Sequence, residues 1–450
     1  VFRRILVANR GEVAARVLRT CQRLGVEAVA VTTDADSDLS WLAEASRVEA
    51  IGGRRAYLDA DALLDAARRA RCAAVHPGWG FLSENASFAA RCEAEGLAFI
   101  GPRPLSIRQM GDKAVARETM ARLGLSPIPG SDGVVPDVGA AAQLAAGMGY
   151  PVLLKALAGG GGRGMRRVFS ADELGPAFAD ASAEAASAFG DGGLYLEKLI
   201  VRGKHVELQV MGDGAGRVEV LGARECSVQR RHQKLIEESP PPGVDGGELA
   251  AVAAKARAAL AALRYRGAGT VEMLQDEHGR LWFMEMNTRL QVEHTVTEAV
   301  TGLDLVEWQL RVACNEGLGA LPAVEPCGHA IECRVNAEDV FAGFRPCPGV
   351  LTRLELPVGP GVRVDTHLAA GDRISPHYDS MIAKVIASGP TREAALDRMD
   401  AALAAMVVEG VETTIPLHRA ILRHPTFRAG AHDTRFVDTH IDALLAEARP

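Results

Sequence analysis

Glu272 and Glu285 lie on two apolar runs, GTVEML and RLWFMEM, separated by a DEHG segment of turn character. A hairpin centred on His278 and Gly279 sets the two glutamates directly opposite each other. Opposed residues in an antiparallel pair hold their Cβ atoms about 5 Å apart. Two carboxylates at that spacing repel unless a cation lies between them. Asn287, two residues after Glu285, shares its face and adds a neutral oxygen. Such an all-oxygen set suits Mg²⁺ or Mn²⁺ that is also gripped by substrate phosphates. A solvated strand face is the competing account, but the neighbours Met273, Phe283 and Met284 are not a washed surface.

Phosphate chemistry has a second signature in KALAGGGGRGM, residues 155–165. Four consecutive glycines lose the most backbone entropy on folding and make a poor core strand. They suit a mobile loop whose N–H groups converge on anionic oxygens, with Lys155 supplying a point charge at the strand end. The GxxxxGK[ST] spacing of a Walker A loop is absent. Beyond the metal strand the chain continues TRLQVEHT, which sets Arg289 and Glu293 beside the cation site. That pairing suits the holding of an anion and the removal of a proton. Residues 225–234, ECSVQRRHQK, form a basic run in an acidic protein. Its Gln and His residues point to directed hydrogen bonds, against the alternative of a solvated charge run.

These groups need a scaffold, and 450 residues suffice for about three domains. The 48% hydrophobic content excludes wholesale disorder, and a net charge of −7 argues against a general nucleic-acid or acidic-membrane binder. No window approaches the roughly 18 apolar residues of a membrane helix, and the start lacks a signal peptide's apolar core. Eight scattered cysteines without a CxxC fit free thiols in a reducing cytosol, so a cytoplasmic location is expected. RILVANR, a helical run from Glu12 to Leu24, and VEAVAVTT give strand, helix, strand. Helical runs at 59–71 and 84–96 then alternate with the strands CAAVHPG and LAFIG. This alternation predicts a parallel sheet covered by helices over residues 1–112. NRGE stands at the first turn, where a dinucleotide-binding fold would carry GxGxxG. After the SPIPGSDG break come a strand at 151–155, the glycine loop, a helix at 171–188 and a strand at 194–199. Strands dominate from about residue 204, and Gly/Pro-rich breaks near 317–328 and 357–361 introduce a last region with a helix at 392–408.

Taken together, the motifs resemble the biotin carboxylase branch of the ATP-grasp enzymes. MGDK at 110–113, the KALAGGGGRGM loop, CSVQRRHQK, GAGTVEM at 267–273 and EMNTRLQVEH at 285–294 carry the likeness. HPGWGFLSEN at 76–85, GHAIECRVNAED at 328–339 and YDSMIAK at 378–384 extend it over essentially the whole chain. The glycine loop and metal pair alone indicate only ATP-grasp. EMNTRLQVEH with QRRHQK is specific to bicarbonate-dependent biotin carboxylation.

The resemblance implies a mixed α/β and α+β chain with the ATP-grasp fold. Its parts would be an N-terminal Rossmann-like parallel-sheet domain at 1–112 and an ATP-grasp domain at 113–310, with a mobile glycine-rich lid at about 128–199. A C-terminal mixed-sheet domain at 328–440 would follow. By the same resemblance, Lys113 and Lys155 meet the phosphates of ATP under Gly161 and Gly162. Glu197, Lys198 and Ile200 form the adenine hinge, and His205, Gln229 and His232 line the nucleotide pocket. Glu272, Glu285 and Asn287 hold two Mg²⁺ or Mn²⁺ ions. Lys234, Arg289, Gln291 and the Val292 backbone bind bicarbonate, and Glu293 is the base. Trp79 and Arg334 meet biotin, with Arg334 as the cation for its ureido oxyanion. The implied reaction makes ADP, phosphate and carboxybiotin through carboxyphosphate. It is the first half-reaction of an acyl-CoA carboxylase, such as the acetyl-CoA carboxylase of fatty acid biosynthesis. Because no AMKM-like attachment sequence occurs, biotin is expected on a separate biotin carboxyl carrier protein or on a part of the protein outside this sequence, with carboxyltransferase subunits completing the assembly. A homodimer is implied, with Arg16, Arg19 and Arg363 at its interface.

The chain departs from the family pattern at several places. It reads ARECS where ERDCS is usual, so Ala223 drops a charge and Glu225 is one methylene longer. Trp79 replaces tyrosine, Leu157 and Ala158 precede the glycines, and Thr295 replaces proline. None removes a metal, phosphate or bicarbonate group, so an active enzyme is expected. One rival is an ATP-grasp ligase that activates a different carboxylate and passes it to an amine. The other is a nucleotide-responsive scaffold without turnover, against which the intact Lys, Glu and Arg set argues.

Overall fold

The computed structural model describes residues 1–156, 164–322 and 324–449; Gly161 and Gly162, and the substituted Leu157 and Ala158, lie outside the described residues. The N-terminal alternation folds as β1 (Arg4–Val7), β2 (Glu27–Thr32), β3 (Arg47–Ala50), β4 (Ala74–His76) and β5 (Ala98–Phe99). They form one parallel sheet in the order β3-β2-β1-β4-β5. Its centre is a continuous apolar run because both faces are covered: Ile5, Leu6 and Val7 have no exposed surface. The edge strand β3 is short and mostly exposed, which is why RVEA gave no sequence signal. The helices α1 (Gly11–Arg23), α2 (Ala60–Arg69) and α3 (Ala86–Ala94) cover this sheet. Asp59 and Asn85 cap α2 and α3 by accepting first-turn N–H groups. The Asn85 cap corrects the expected helix start, leaving Glu84 in the loop that also carries Trp79.

A separate antiparallel sheet, β6 (Val152–Ala156), β7 (Met165–Val168) and β8 (Leu194–Lys198), has the order β7-β6-β8. Its core includes Ala141 and Ala145 of one helix and Leu174, Ala181 and Ala185 of another.

The remaining large sheet comprises β9 (Lys204–Asp213), β10 (Val218–Arg230), β11 (Gln233–Ser239), β12 (Arg266–Gln275), β13 (Leu281–Asn287), β14 (His329–Asn336), β15 (Val362–Thr366) and β16 (Met381–Gly389). The order is β13-β12-β9-β10-β11-β14-β16-β15, antiparallel throughout. Glu272 pairs with Glu285 and Thr270 with Asn287, as the hairpin reading requires. The hairpin's centre needs correction. A bulge after Glu272 makes Met273 face Phe283 and leaves Met284 as the extra residue, so the turn closes one residue tighter than inferred. The basic run is itself a hairpin tip. Arg230 pairs with Gln233 around a two-residue turn in which Arg231 and His232 have φ of 50° and 66°. Such turns usually carry Asn-Gly, and RH hid this one. No described helix is long and apolar enough to cross a membrane.

Candidate active site

Two strands and one helix end converge on the Lys234 ammonium, which projects from β11. It lies 2.5 Å from Glu293, 2.7 Å from Glu207 and 3.3 Å from Glu272. The register explains the gathering: Glu272 on β12 directly opposes Glu207 on β9, which opposes Arg224 on β10. Arg224 has no exposed surface and donates to Glu207, Gln209, Thr297, Thr270 and Gln291. Gln291 in turn donates to Glu272 at 2.7 Å, and Asn287 donates to the same oxygen at 2.8 Å. Arg289 donates to the Asn287 side-chain carbonyl oxygen at 2.9 Å. The backbone carbonyl of Val292 accepts from Lys384, a buried lysine also 3.0 Å from Glu12. The expected bicarbonate residues therefore meet around one carboxylate-rich pocket. Sequence reading missed Glu207, Arg224 and Lys384 there. Their one signal was a charged residue inside an apolar strand run, which is rarely buried unless paired.

Glu293 occupies the N-cap position of the helix His294–Thr301 and is 2% exposed. Burial pushes its carboxyl up, but Lys234, Arg334 and Arg224 outweigh that and hold it well below the carboxylate range. Arg334 on β14 donates to Glu293 at 2.9 Å and to Glu237 at 2.6 Å. Glu237 opposes Glu332 across the β11–β14 ladder, and both are fully buried. Burial dominates for this pair: Glu237 is pushed up to about 7 and Glu332 to about 8, each further raised by a neighbouring carboxylate.

On the nucleotide side, Lys113 is 3.6 Å from Glu285. Lys155 is 2.5 Å from Glu197, and Arg117 also pairs with that carboxylate. The Glu197 side chain is locked between two cations, and its backbone pairs with Leu153 of β6. Lys198 donates its backbone N–H to Pro129 and its ammonium to Gly149, which ties the end of β8 to the chain before β6. Ile200 follows, partly buried. His205 is buried with Nε2 3.3 Å from Glu272. Gln229 opposes Lys234, whereas His232 sits exposed at the hairpin tip. Oxygen donors on Glu272, Glu285 and Asn287 share one face of the β12–β13 hairpin, a set that fits Mg²⁺ or Mn²⁺. Trp79 is partly buried, and its carbonyl accepts from Asn9 at 2.8 Å.

Comparison with known proteins decides the family. Residues 1–107 match the biotin carboxylase N-terminal domain, 112–321 the carbamoyl-phosphate synthase L chain ATP binding domain, and 332–439 the biotin carboxylase C-terminal domain. The biotin carboxylase of Nostoc sp. is 46% identical over 97% of this chain and 98% of its own. The chain belongs to the biotin carboxylase family. It is an ATP-grasp ligase that carboxylates biotin using ATP and bicarbonate. A second relative, from the pyruvate carboxylase of Methanothermobacter thermautotrophicus, is 46% identical over 100% of this chain and 92% of its own. The biotin carboxylase domain dimer of Hydrogenobacter thermophilus 2-oxoglutarate carboxylase, solved with MgADP, ADP and bicarbonate, superposes with a TM-score of 0.94. It is 45% identical, with 98% of each chain covered.

Three of the residues that depart from the family pattern have partners. Glu225 reaches His432 at 2.7 Å, and Glu238 beside it is held by His329 and Arg392. Thr295 donates its hydroxyl to Glu332. Ala223 is buried, its carbonyl accepting from Ser239. Arg16, Arg19 and Arg363 line one open cavity, where Arg16 and Arg363 both pair with Glu298.

Proposed function

We propose that Lys234, Arg289, Gln291 and the Val292 backbone hold bicarbonate, that Glu293 is its base, and that Arg334 stabilises the ureido oxyanion of biotin near Trp79. The observation that carries this reading is Glu293 bridging Lys234 and Arg334, one carboxylate touching the cation for each half of the chemistry. Held between those cations, Glu293 is a weak base. An arriving anion shares Lys234, loosens its hold and raises the proton affinity of Glu293 as the reactant binds. The deprotonated bicarbonate attacks the γ-phosphorus of ATP, giving carboxyphosphate and ADP. Carboxyphosphate splits into CO₂ and phosphate, and the phosphate takes the proton from biotin N1. The guanidinium of Arg334 faces the ureido oxyanion that results, and N1 then bonds the CO₂ carbon to give carboxybiotin.

Two Mg²⁺ or Mn²⁺ ions on Glu272, Glu285 and Asn287 would supply charge neutralisation at the phosphates. Lys113 and Lys155 would assist them under the Gly161–Gly162 lid. Lys155 must then leave Glu197, whose carboxylate keeps Arg117 as its partner. Glu197, Lys198 and Ile200 would present backbone to adenine, with His205, Gln229 and His232 around the rest of the nucleotide. The working units are 1–112, 113–310 with the lid at 128–199, and 328–440. Arg16, Arg19 and Arg363 would face a second copy in a homodimer. Biotin would come on a carrier protein, and carboxyltransferase subunits would pass the carboxyl group to an acyl-CoA such as acetyl-CoA in the cytoplasm. Measuring ADP release with and without bicarbonate and free biotin tests the reading: release should require bicarbonate and accelerate with biotin. Bicarbonate-independent release, or stimulation by an amine in place of biotin, would refute it.

A further inference from the structure

Arg289 has one carboxylate partner among the described residues, and it comes from another part of the fold. Glu84, in the loop between β4 and α3, accepts from Arg289 Nε at 2.7 Å through one oxygen. Its other oxygen accepts from the Thr288 backbone N–H at 2.9 Å. The loop is held at both ends. Asn9 donates to the Pro77 and Trp79 carbonyls, and Asn85 caps α3. Gly78 adopts φ of 62° there, and a Cβ at that position would meet Asn9 Nδ2 at 2.8 Å. Glu84 is thus presented from a fixed mount to the segment that carries bicarbonate groups.

The charge balance says what that contact prevents. Glu207, Glu237, Glu272 and Glu293 share the pocket with the cations Lys234, Arg224 and Arg334. Glu237 is pushed up to about 7, so the remaining three carboxylates match those three cations, and the next carboxylates that act on Arg289 are Glu293 and Glu272. Without Glu84, the guanidinium would be drawn onto the base or the metal ligand and would fill the space an incoming anion needs.

We propose that Glu84 is a positioning residue for the carboxylation reaction, holding Arg289 off Glu272 and Glu293 so that its remaining N–H groups face bicarbonate. The inference rests on the assignment of Arg289 to bicarbonate. A carboxylate is required, because Glu84 accepts on both oxygens; a carboxamide would turn an NH₂ group toward one of the two donors. Glu84 is 38% exposed on its side chain, so its replacement leaves the core intact.

The test is biotin-independent ADP release against bicarbonate concentration in the full chain, for wild type, Glu84→Gln, Glu84→Asp, Arg289→Lys and the Glu84→Gln/Arg289→Lys double variant. Glu84→Gln should raise the bicarbonate KM about tenfold, with kcat and the ATP KM changed much less. Glu84→Asp, which keeps the charge, should lie nearer wild type. In the Arg289→Lys background, Glu84→Gln should add little, because its effect passes through Arg289. An unchanged bicarbonate KM in Glu84→Gln, or the same multiplication of KM in both backgrounds, overturns the inference while leaving the bicarbonate assignment standing. An unchanged bicarbonate KM in Arg289→Lys overturns the assignment itself.

Discussion

Replacing Arg334 with alanine separates the two halves of the reaction, and the contacts of this residue set the size of each loss. Removing the cation from a developing ureido oxyanion costs about 2–4 kcal/mol in that transition state, roughly 30- to 1,000-fold in carboxybiotin formation. ADP release without biotin suffers less. Glu293 loses its 2.9 Å bond from Arg334, which loosens its orientation but raises its proton affinity, and it keeps Lys234 at 2.5 Å. The two effects oppose, so the loss stays within about 1.5 kcal/mol or roughly tenfold. The fold should tolerate the change at pH 7. Glu237 loses its cation, yet burial already pushes it up to about 7, and without Arg334 it moves further up and stays neutral. Arg289→Ala should instead lower ADP release equally with and without biotin. The assay is a pair of rates for each variant at pH 7, ADP release without biotin and carboxybiotin formation with it. Equal proportional losses of both rates in both variants would refute this division of labour.

Glu285→Gln should abolish most turnover at ordinary Mg²⁺ while leaving the thermal midpoint near wild type; near-normal ADP production would remove Glu285 from the metal site. Glu332 has its folded value raised from 4.5 to about 8 by burial and Glu237, so its contribution to stability is complete below pH 4.5 and lost as pH rises through about 8. Glu332→Gln should therefore shrink the fall in thermal midpoint between pH 6 and 9, measured by scanning calorimetry. Arg224→Met removes a fully buried cation and leaves Glu207 short of a partner, which should cost about 3–5 kcal/mol and lower the midpoint by roughly 10 °C.

The residues differ sharply in how far sequence alone could place them. Glu272 and Glu285 were placed by local rules, since two alternating strands and a short turn fix which side chains oppose. The bulge at Met284 was hidden, because a bulge needs only one extra residue and carries no composition of its own. The RH hairpin tip was hidden for the opposite reason, as it occupies a conformation that other residue types usually mark. Glu84, Arg224 and Glu237 bind groups far along the chain, and only the finished topology brings these together. The change at 225 was visible as a longer side chain, but its partner His432 comes from the far end of the molecule and has no signature in the flanking residues.

The ladder between β11 and β14 bears on what can be exchanged between related proteins. Ile236, Glu237, Glu238 and Ser239 pair with Cys333, Glu332, Ile331 and Ala330, so the sheet crosses the chain region around residue 310–328 without a break. Cutting the gene there would not release two modules. It would bare two strand edges studded with buried carboxylates, one fragment losing Arg334 and Arg392 and the other losing Glu237 and Glu238. Unpaired edges of that kind invite aggregation. A chimera that borrowed its last third from a relative would have to reproduce the twist, register and charge order of this seam at once. The small three-stranded sheet shares no strand with the large one, so exchanging it would cut no ladder of the large sheet.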